Sequence, residues 1–439
     1  FMFLTSSIFA EDKVTSWNDI LKANEAPENW LTHHGTLDGQ RYSRLDSINK
    51  NNVSNLNVKW THAIGGIEGG GMWDHGGLEG TPIVEDGFIY VTDGWGSIYK
   101  LDIRNNGKLV WKMNPETDRD YAGAITCCGI DNRGAAFWND KIISHTLDGR
   151  LIVTNKGTGE IEQDITLADP AVSEVITAAA FVIKDSAITG VSGAEYGIRG
   201  WLNSTNLNTG KRNWRTYTIP APGEPGSETW KQGPESHSSD AWKHGGGSTW
   251  VVGSYDAELN LIYWGVGNPG PDWDNEYRPG DNLYSNSVLA LDADSGKIKW
   301  HFQYTPNDPY DYDGVNEQTL VDTKIFGKET KAVLHADRNG FAYALDRTTG
   351  QFLWGTPFVE QLDWTIGLDK YSGLPMDYDE NSDVQRYVDS TNASRAKPEG
   401  LSCPGNMGGK NWPPTAYDPE RNTYLSLIHI SEPTRLLSI

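Results

Sequence analysis

The stretch Ser97-Ile98-Tyr99-Lys100-Leu101-Asp102, followed by Gly107 and Trp111, decides how the chain is read. It alternates along a strand, turns at an Asp and a Gly, and reaches a Trp four residues after that Gly. The unit recurs as Leu207-Asn208 with Gly210 and Trp214, as Leu291-Asp292 with Gly296 and Trp300, and as Leu345-Asp346 with Gly350 and Trp354. A degenerate copy has Thr154-Asn155 and Gly159, but Gln163 where the others have Trp. Successive glycines lie 52, 51, 86 and 54 residues apart, so only the 210–296 interval carries a large insertion. The polar, Gly/Pro/Ser-rich stretch from Pro220 to His244 falls inside it and is expected as a long surface excursion. Alternation with period two gives strands with one buried face. In the hairpin turn Gly tolerates positive φ, and an Asx side chain can hydrogen-bond the local backbone. A flat indole at constant spacing can wedge between one sheet and the next. A repeated unit of this kind predicts an all-β propeller. Leu56 to Trp60, which no Asp turn precedes, reads as the N-terminal strand of a closing blade.

Composition agrees. Of 439 residues 18 are Trp and 48 are Gly, which favours many short strands and tight turns over helices. Aromatics at 11% offset a modest 37% of hydrophobics, because each buries a large area. With 37 Lys+Arg against 59 Asp+Glu the net charge is −22, which excludes nucleic-acid or anionic-membrane binding by bulk charge. No apolar run is long enough to span a bilayer as a helix. Residues 1–10 (FMFLTSSIFA), followed by Glu11-Asp12, look like the tail of a secretory signal peptide, which predicts an exported protein. Leu425 to Arg435 (LSLIHISEPTR) resembles a translated sequencing adapter. The expected organisation is a leader remnant over 1–10, a propeller over 11–424 and a non-native tail over 425–439, so that the wheel is incomplete.

From Trp30 to Tyr424 the chain resembles the pyrroloquinoline quinone (PQQ)-dependent alcohol dehydrogenases of the methanol/ethanol type. The entry segment carries Trp30, Gly35, Arg41-Tyr42-Ser43, Leu45, Ile48, Asn52-Val53, Leu56 and Trp60. The adjacent pair Cys127-Cys128, with Arg133 five residues on, and the run His244-Gly245-Gly246-Gly247-Ser248-Thr249-Trp250 carry it further. So do Ser192-Gly193-Ala194-Glu195, Gly267-Asn268-Pro269 and Asp308-Pro309-Tyr310-Asp311-Tyr312-Asp313-Gly314, with Tyr310 where Trp is commoner. The resemblance implies an eight-bladed wheel. It implies a ring of Cys127 and Cys128 as a lid over one face of PQQ, and Trp250 stacked on the other. Arg133, Glu79, Thr177, Ser192, Gly193, Ala194, Arg338 and Asn411 would contact the cofactor.

The same resemblance makes Glu195, Asn268 and Asp311 oxygen ligands of a hard cation, a ligand type such ions prefer. Asp313, two residues after Asp311, matches the lanthanide-type members, with calcium as the alternative. A trivalent ion holds an extra carboxylate because Coulomb attraction scales with charge. Asp311 would take the hydroxyl proton of a primary alcohol as general base, with Arg338 beside the reactive carbonyl. Electrons would pass to a periplasmic cytochrome c, and no Cys-x-x-Cys-His holds a haem in this chain. A homodimer stays open. Cys403 is the odd cysteine, and the resemblance implies a downstream partner for it. Two rivals share parts of the pattern. A PQQ-dependent sugar or polyol dehydrogenase usually lacks the adjacent cysteines. A non-catalytic propeller of the outer-membrane assembly type should lack Cys127-Cys128, Glu195, Asn268 and Asp311.

Overall fold

The computed structural model describes residues 13–234, 236–426 and 437–438. The leader reading of residues 1–10, and most of the tail reading of 425–439, lie outside the described residues.

Among the described residues five sheets have four strands each, and in each the strands pair antiparallel with their chain neighbours. They span Ile83–Glu85 to Lys108–Met113, Ala136–Trp138 to Ile161–Thr166, Phe181–Ile183 to Arg212–Tyr217, Ser254–Asp256 to Ile298–Gln303, and Thr319–Ile325 to Phe352–Pro357. A sixth sheet has three strands, Ala416–Asp418, Thr423–Leu425 and Leu437–Ser438. A hairpin of Glu68–Gly70 and Trp73–His75 precedes the first sheet. In the second sheet the first strand is wholly buried, whereas the fourth, Ile161–Thr166, is mostly exposed.

Successive sheets pack face to face in chain order, which is what arranges them around a wheel; among the described residues the first and the sixth have one such neighbour each. One apolar cluster joins Ile83, Tyr90 and Ile98 of the first sheet to Phe137, Ile142 and Ile152 of the second. Another joins Ile143 and Val153 to Val182 and Ala187 of the third. A third joins Phe181, Ile188 and Trp214 to Ile262, Trp264 and Leu289 of the fourth. The series continues with Tyr263 and Val288 against Val333 and Tyr343, and then Leu334 and Ala344 against Tyr417 and Tyr424.

The Trp repeat locks these sheets edge to edge. Trp111, Trp214 and Trp300 each donate their indole N–H, at 3.1 Å, to a backbone carbonyl of the following sheet's turn, that of Lys156, Ala293 and Arg347 respectively. Each ring lies over the repeat glycine of that turn. A Cβ on Gly296 would stand 2.5 Å from Trp214, so the position requires Gly for close approach as well as for its φ of +70°. Where Gln163 replaces the Trp, its Nε2 makes the equivalent bond to Leu207 O at 3.0 Å. The degenerate copy keeps the hydrogen bond and loses the ring.

Two expectations need correcting. The turn residue of the third sheet is Asn206 rather than Asn208: Gly210 N donates to Asn206 O and Thr209 N to Asn206 Oδ1. The Asx carbonyl stands four residues before the Gly here, as at Asn155, Asp292 and Asp346, and five before it in the first copy, where Gly107 N donates to Asp102 O. Leu56 to Trp60 forms no strand, although Trp60 covers Gly107 as the other repeat indoles cover theirs. The excursion over 220–244 contains short helical turns and is partly packed, with Trp230 Nε1 donating to Leu283 O.

Trp214 is 9% exposed. Trp214→Ala should cost about 3–5 kcal/mol by the usual rule for buried aromatics, whereas Gln163→Ala should cost only about 1 kcal/mol. Urea titration followed by indole fluorescence checks this, and equal losses would contradict the docking role.

Candidate active site

In a four-stranded up-and-down sheet, two kinds of connection emerge at one end: the link from strand two to strand three, and the link from strand four to the next sheet. Every predicted site residue but Glu79 lies in one of these. Cys127, Cys128, Arg133, Thr177, Trp250, Asp311, Asp313 and Asn411 lie in links between sheets, and Glu79 lies just before the first sheet. Ser192, Gly193, Ala194, Glu195, Asn268 and Arg338 follow a second strand. The repeat glycines sit in the hairpins at the opposite end. Strand alternation alone therefore carries residues more than 300 positions apart to one face of the wheel.

They line one cavity of about 310 Å³, near the lower end of the ~300–1,000 Å³ typical of small-molecule sites. All the predicted residues contribute to its wall except Ala194 and Asn268, which are buried behind it. Cys127 and Cys128 form a disulfide, with Cα atoms 3.8 Å apart, just beyond the helix Arg119–Ile125. Their sulfurs lie within 4.8 Å of a Glu195 carboxylate oxygen. Being joined, they offer that carboxylate no thiolate for a shared metal. Thr177 Oγ1 and Ser192 Oγ pair at 2.8 Å.

Two arginines flank Trp250. Arg133 pairs with Glu79 at 2.7 Å, and its guanidinium lies 4.8 Å from the Trp250 ring and 5.0 Å from that of Trp412. Arg338 pairs with Asp313 at 3.0 Å and reaches Asn411 Oδ1 at 3.3 Å. Asp313 also accepts from Trp250 Nε1 at 3.2 Å and from Asn268 N at 2.9 Å. Asp311 sits at φ +62°, in a turn held by the buried Asp308 carboxylate, which accepts from Tyr310 N and Tyr312 N.

The carboxylates outnumber their partners. Burial, and next the charge of Asp313, push the Asp311 carboxyl up to about 9. Burial, followed by the charges of Asp313 and Asp272, pushes Glu195 up to about 7. Such a cluster is eased by a cation among its oxygens. Among the described residues, the oxygens of Glu195, Asp311 and Asp313 do not all close to within 4.8 Å of one another. The donor set nonetheless suits a hard ion. On the cofactor side, Arg133 Nε and Arg338 Nε are buried without a hydrogen-bond partner among the described residues. Buried donors normally find acceptors, and a planar ligand bearing carboxylates and carbonyls supplies them.

The sequence reading missed Asp131, 3.8 Å from Arg133, and Trp412. Trp412 directly follows Asn411, so its neighbour was the available signal. It also missed Asp272, which accepts from Asn268 Nδ2, and the fully buried Arg278. A single Arg in a polar loop carries no local pattern.

Fold and cavity together define a propeller whose site is built around a disulfide of adjacent cysteines and a crowd of buried acids. The family described as PQQ glucose/ethanol/alcohol dehydrogenase, beta-propeller domain, matches residues 30–361. The quinoprotein alcohol dehydrogenase PedH of Pseudomonas putida KT2440 is 37% identical over 94% of this chain and 68% of its own length. A lanthanide-dependent methanol dehydrogenase of Methylacidiphilum fumariolicum SolV is 36% identical over 93% of this chain and 66% of its own. The solved structure of a europium-containing methanol dehydrogenase superposes with a TM-score of 0.82 at 34% identity, over 93% of this chain and 69% of that one. The chain thus spans about two thirds of the length of these relatives. It belongs to the family of PQQ-dependent alcohol dehydrogenases, which includes the lanthanide-dependent methanol dehydrogenases.

Proposed function

We propose that this chain carries the site of a PQQ- and metal-dependent oxidation of a primary alcohol to the aldehyde, with a lanthanide as the preferred ion and calcium as the alternative. The observation that carries the reading is convergence. The Cys127–Cys128 disulfide, Trp250, two arginines and the acids Glu195, Asp311 and Asp313 line a single cavity. When bound, PQQ supplies the two-electron acceptor and the ion supplies Lewis acidity.

The chain's own residues do the rest. Trp250 and the disulfide offer flat apolar walls for a planar ring and exclude water. Arg133 and Arg338 offer unpaired N–H groups to its oxygens. Glu195, Asn268, Asp311 and Asp313 would hold the ion. Asp311 would accept the hydroxyl proton from its place in the cavity wall, where burial and the Asp313 charge raise its basicity; a bound cation would offset that rise and favour the ionised form. The eight-bladed closure, periplasmic location and basic cytochrome c acceptor belong to the same proposal. The net charge of −22 supports the last of these.

The test is reconstitution of the protein with PQQ plus lanthanum or calcium, followed by dye reduction with methanol, ethanol and glucose. Turnover of the alcohols and none of glucose is expected. Turnover of glucose alone would assign a sugar dehydrogenase, and no turnover with any of the three would overturn the reading.

A further inference from the structure

Asn268 is buried between two acids. Its backbone N–H donates to Asp313 Oδ1 at 2.9 Å, and its side-chain Nδ2 donates to Asp272 Oδ1 at 2.8 Å. A carboxamide has one donor end and one acceptor end. Engaging Nδ2 therefore decides which way Oδ1 faces.

Asp272 is itself held firmly. The fully buried Arg278 donates from Nε to Pro271 O at 2.9 Å, and from Nη2 to Asp272 O at 2.9 Å and Asp308 O at 2.6 Å. One guanidinium thus ties the loop bearing Asn268 and Asp272 to the turn bearing Asp311 and Asp313.

We propose that Asp272 is a positioning residue of the cation site. It holds the Asn268 carboxamide with its oxygen toward the site, and its extra negative charge favours a trivalent over a divalent ion. This rests on the reading that Glu195, Asn268, Asp311 and Asp313 hold a hard cation. Groups that orient ligands in this way typically contribute ~10–100-fold in metal affinity.

The test titrates the full chain, with PQQ present, with Tb³⁺, and reads indole-sensitised terbium emission. Ca²⁺ is measured by competition. Asp272→Ala removes both acceptor and charge and should weaken Tb³⁺ binding ~10–100-fold, with a smaller loss for Ca²⁺. Asp272→Asn keeps a hydrogen-bond acceptor and removes the charge. It should lose less Tb³⁺ affinity than the Ala variant and leave Ca²⁺ nearly unchanged. If Asp272→Ala does not fold, the Asn variant decides alone, and an unchanged Tb³⁺/Ca²⁺ affinity ratio overturns the proposal. Unchanged Tb³⁺ affinity in both variants also overturns it. Glu195→Ala is the control: if it too binds Tb³⁺ as the parent does, the cation-site reading has failed, not merely the role of Asp272.

Discussion

Asp311→Asn should leave PQQ bound and remove turnover by about 10²–10⁴-fold, the usual contribution of a positioned general base. Asn is the informative substitution for a structural reason. Residue 311 has φ +62°, a region that Asn enters more readily than most side chains. The turn is held from outside by Asp308 through the backbone N–H groups of Tyr310 and Tyr312. Its flanking rings stack, with Tyr310 and Tyr312 centroids 4.9 Å apart and both against Trp364. The variant therefore keeps the turn and an oxygen near the site, and loses the capacity to accept a proton together with one negative charge beside the ion, so turnover is compared at saturating metal. Cofactor content read from the absorption of the reconstituted protein, together with dye-linked turnover, separates the two effects. Full activity would remove Asp311 from the mechanism. Loss of cofactor along with activity would make it a binding residue instead.

How much of this was legible in the sequence depended on range. The wheel was readable because its determinants are local and repeated: Gly296 stands in a turn and Trp300 on the strand that leaves it, as do Gly350 and Trp354. What each indole docks on is not local. Trp214 meets Gly296, 82 positions away, and only the structure shows that this contact explains the glycine. The Gln163 copy looked degenerate by composition, yet its amide reproduces the hydrogen bond. The candidate site was legible where short motifs surround the polar groups, as at Cys127-Cys128 and Glu195. It was not legible where one side chain bridges distant loops. Arg278 to Asp308, Arg338 to Asp313 and Arg133 between Trp250 and Trp412 are each set by tertiary approach. The failed strand at Leu56–Trp60 makes the same point, since alternation fixes which faces could be buried but not whether a partner strand is present.

Asp313 should set the preference between ions, and the choice of substitution decides whether that can be seen. Asp313 satisfies Arg338, Trp250 Nε1 and Asn268 N together. Asp313→Ala takes an acceptor from all three: the buried Asn268 N–H is left unpaired at about 1–3 kcal/mol, while Arg338 keeps Asn411 Oδ1, and this penalty falls on the fold whichever ion is used. Its activation by lanthanum should nonetheless fall further than that by calcium. Asp313→Asn keeps an oxygen acceptor in place and isolates the charge. At an effective dielectric near 20, a unit charge about 4 Å away is worth ~4 kcal/mol, so the third charge of a lanthanide gains up to that much more from the carboxylate than calcium does. Dehydration of the ion and carboxylate takes back part of the gain. The net expectation is a lanthanum half-activation concentration raised ~10–100-fold relative to that for calcium. Measuring both half-activation concentrations on the same PQQ-loaded preparation cancels any common loss of stability. Equal shifts for the two ions would mean that Asp313 serves as the counter-charge of Arg338 and does not read the ion, and the lanthanide assignment would then lose its basis in this chain.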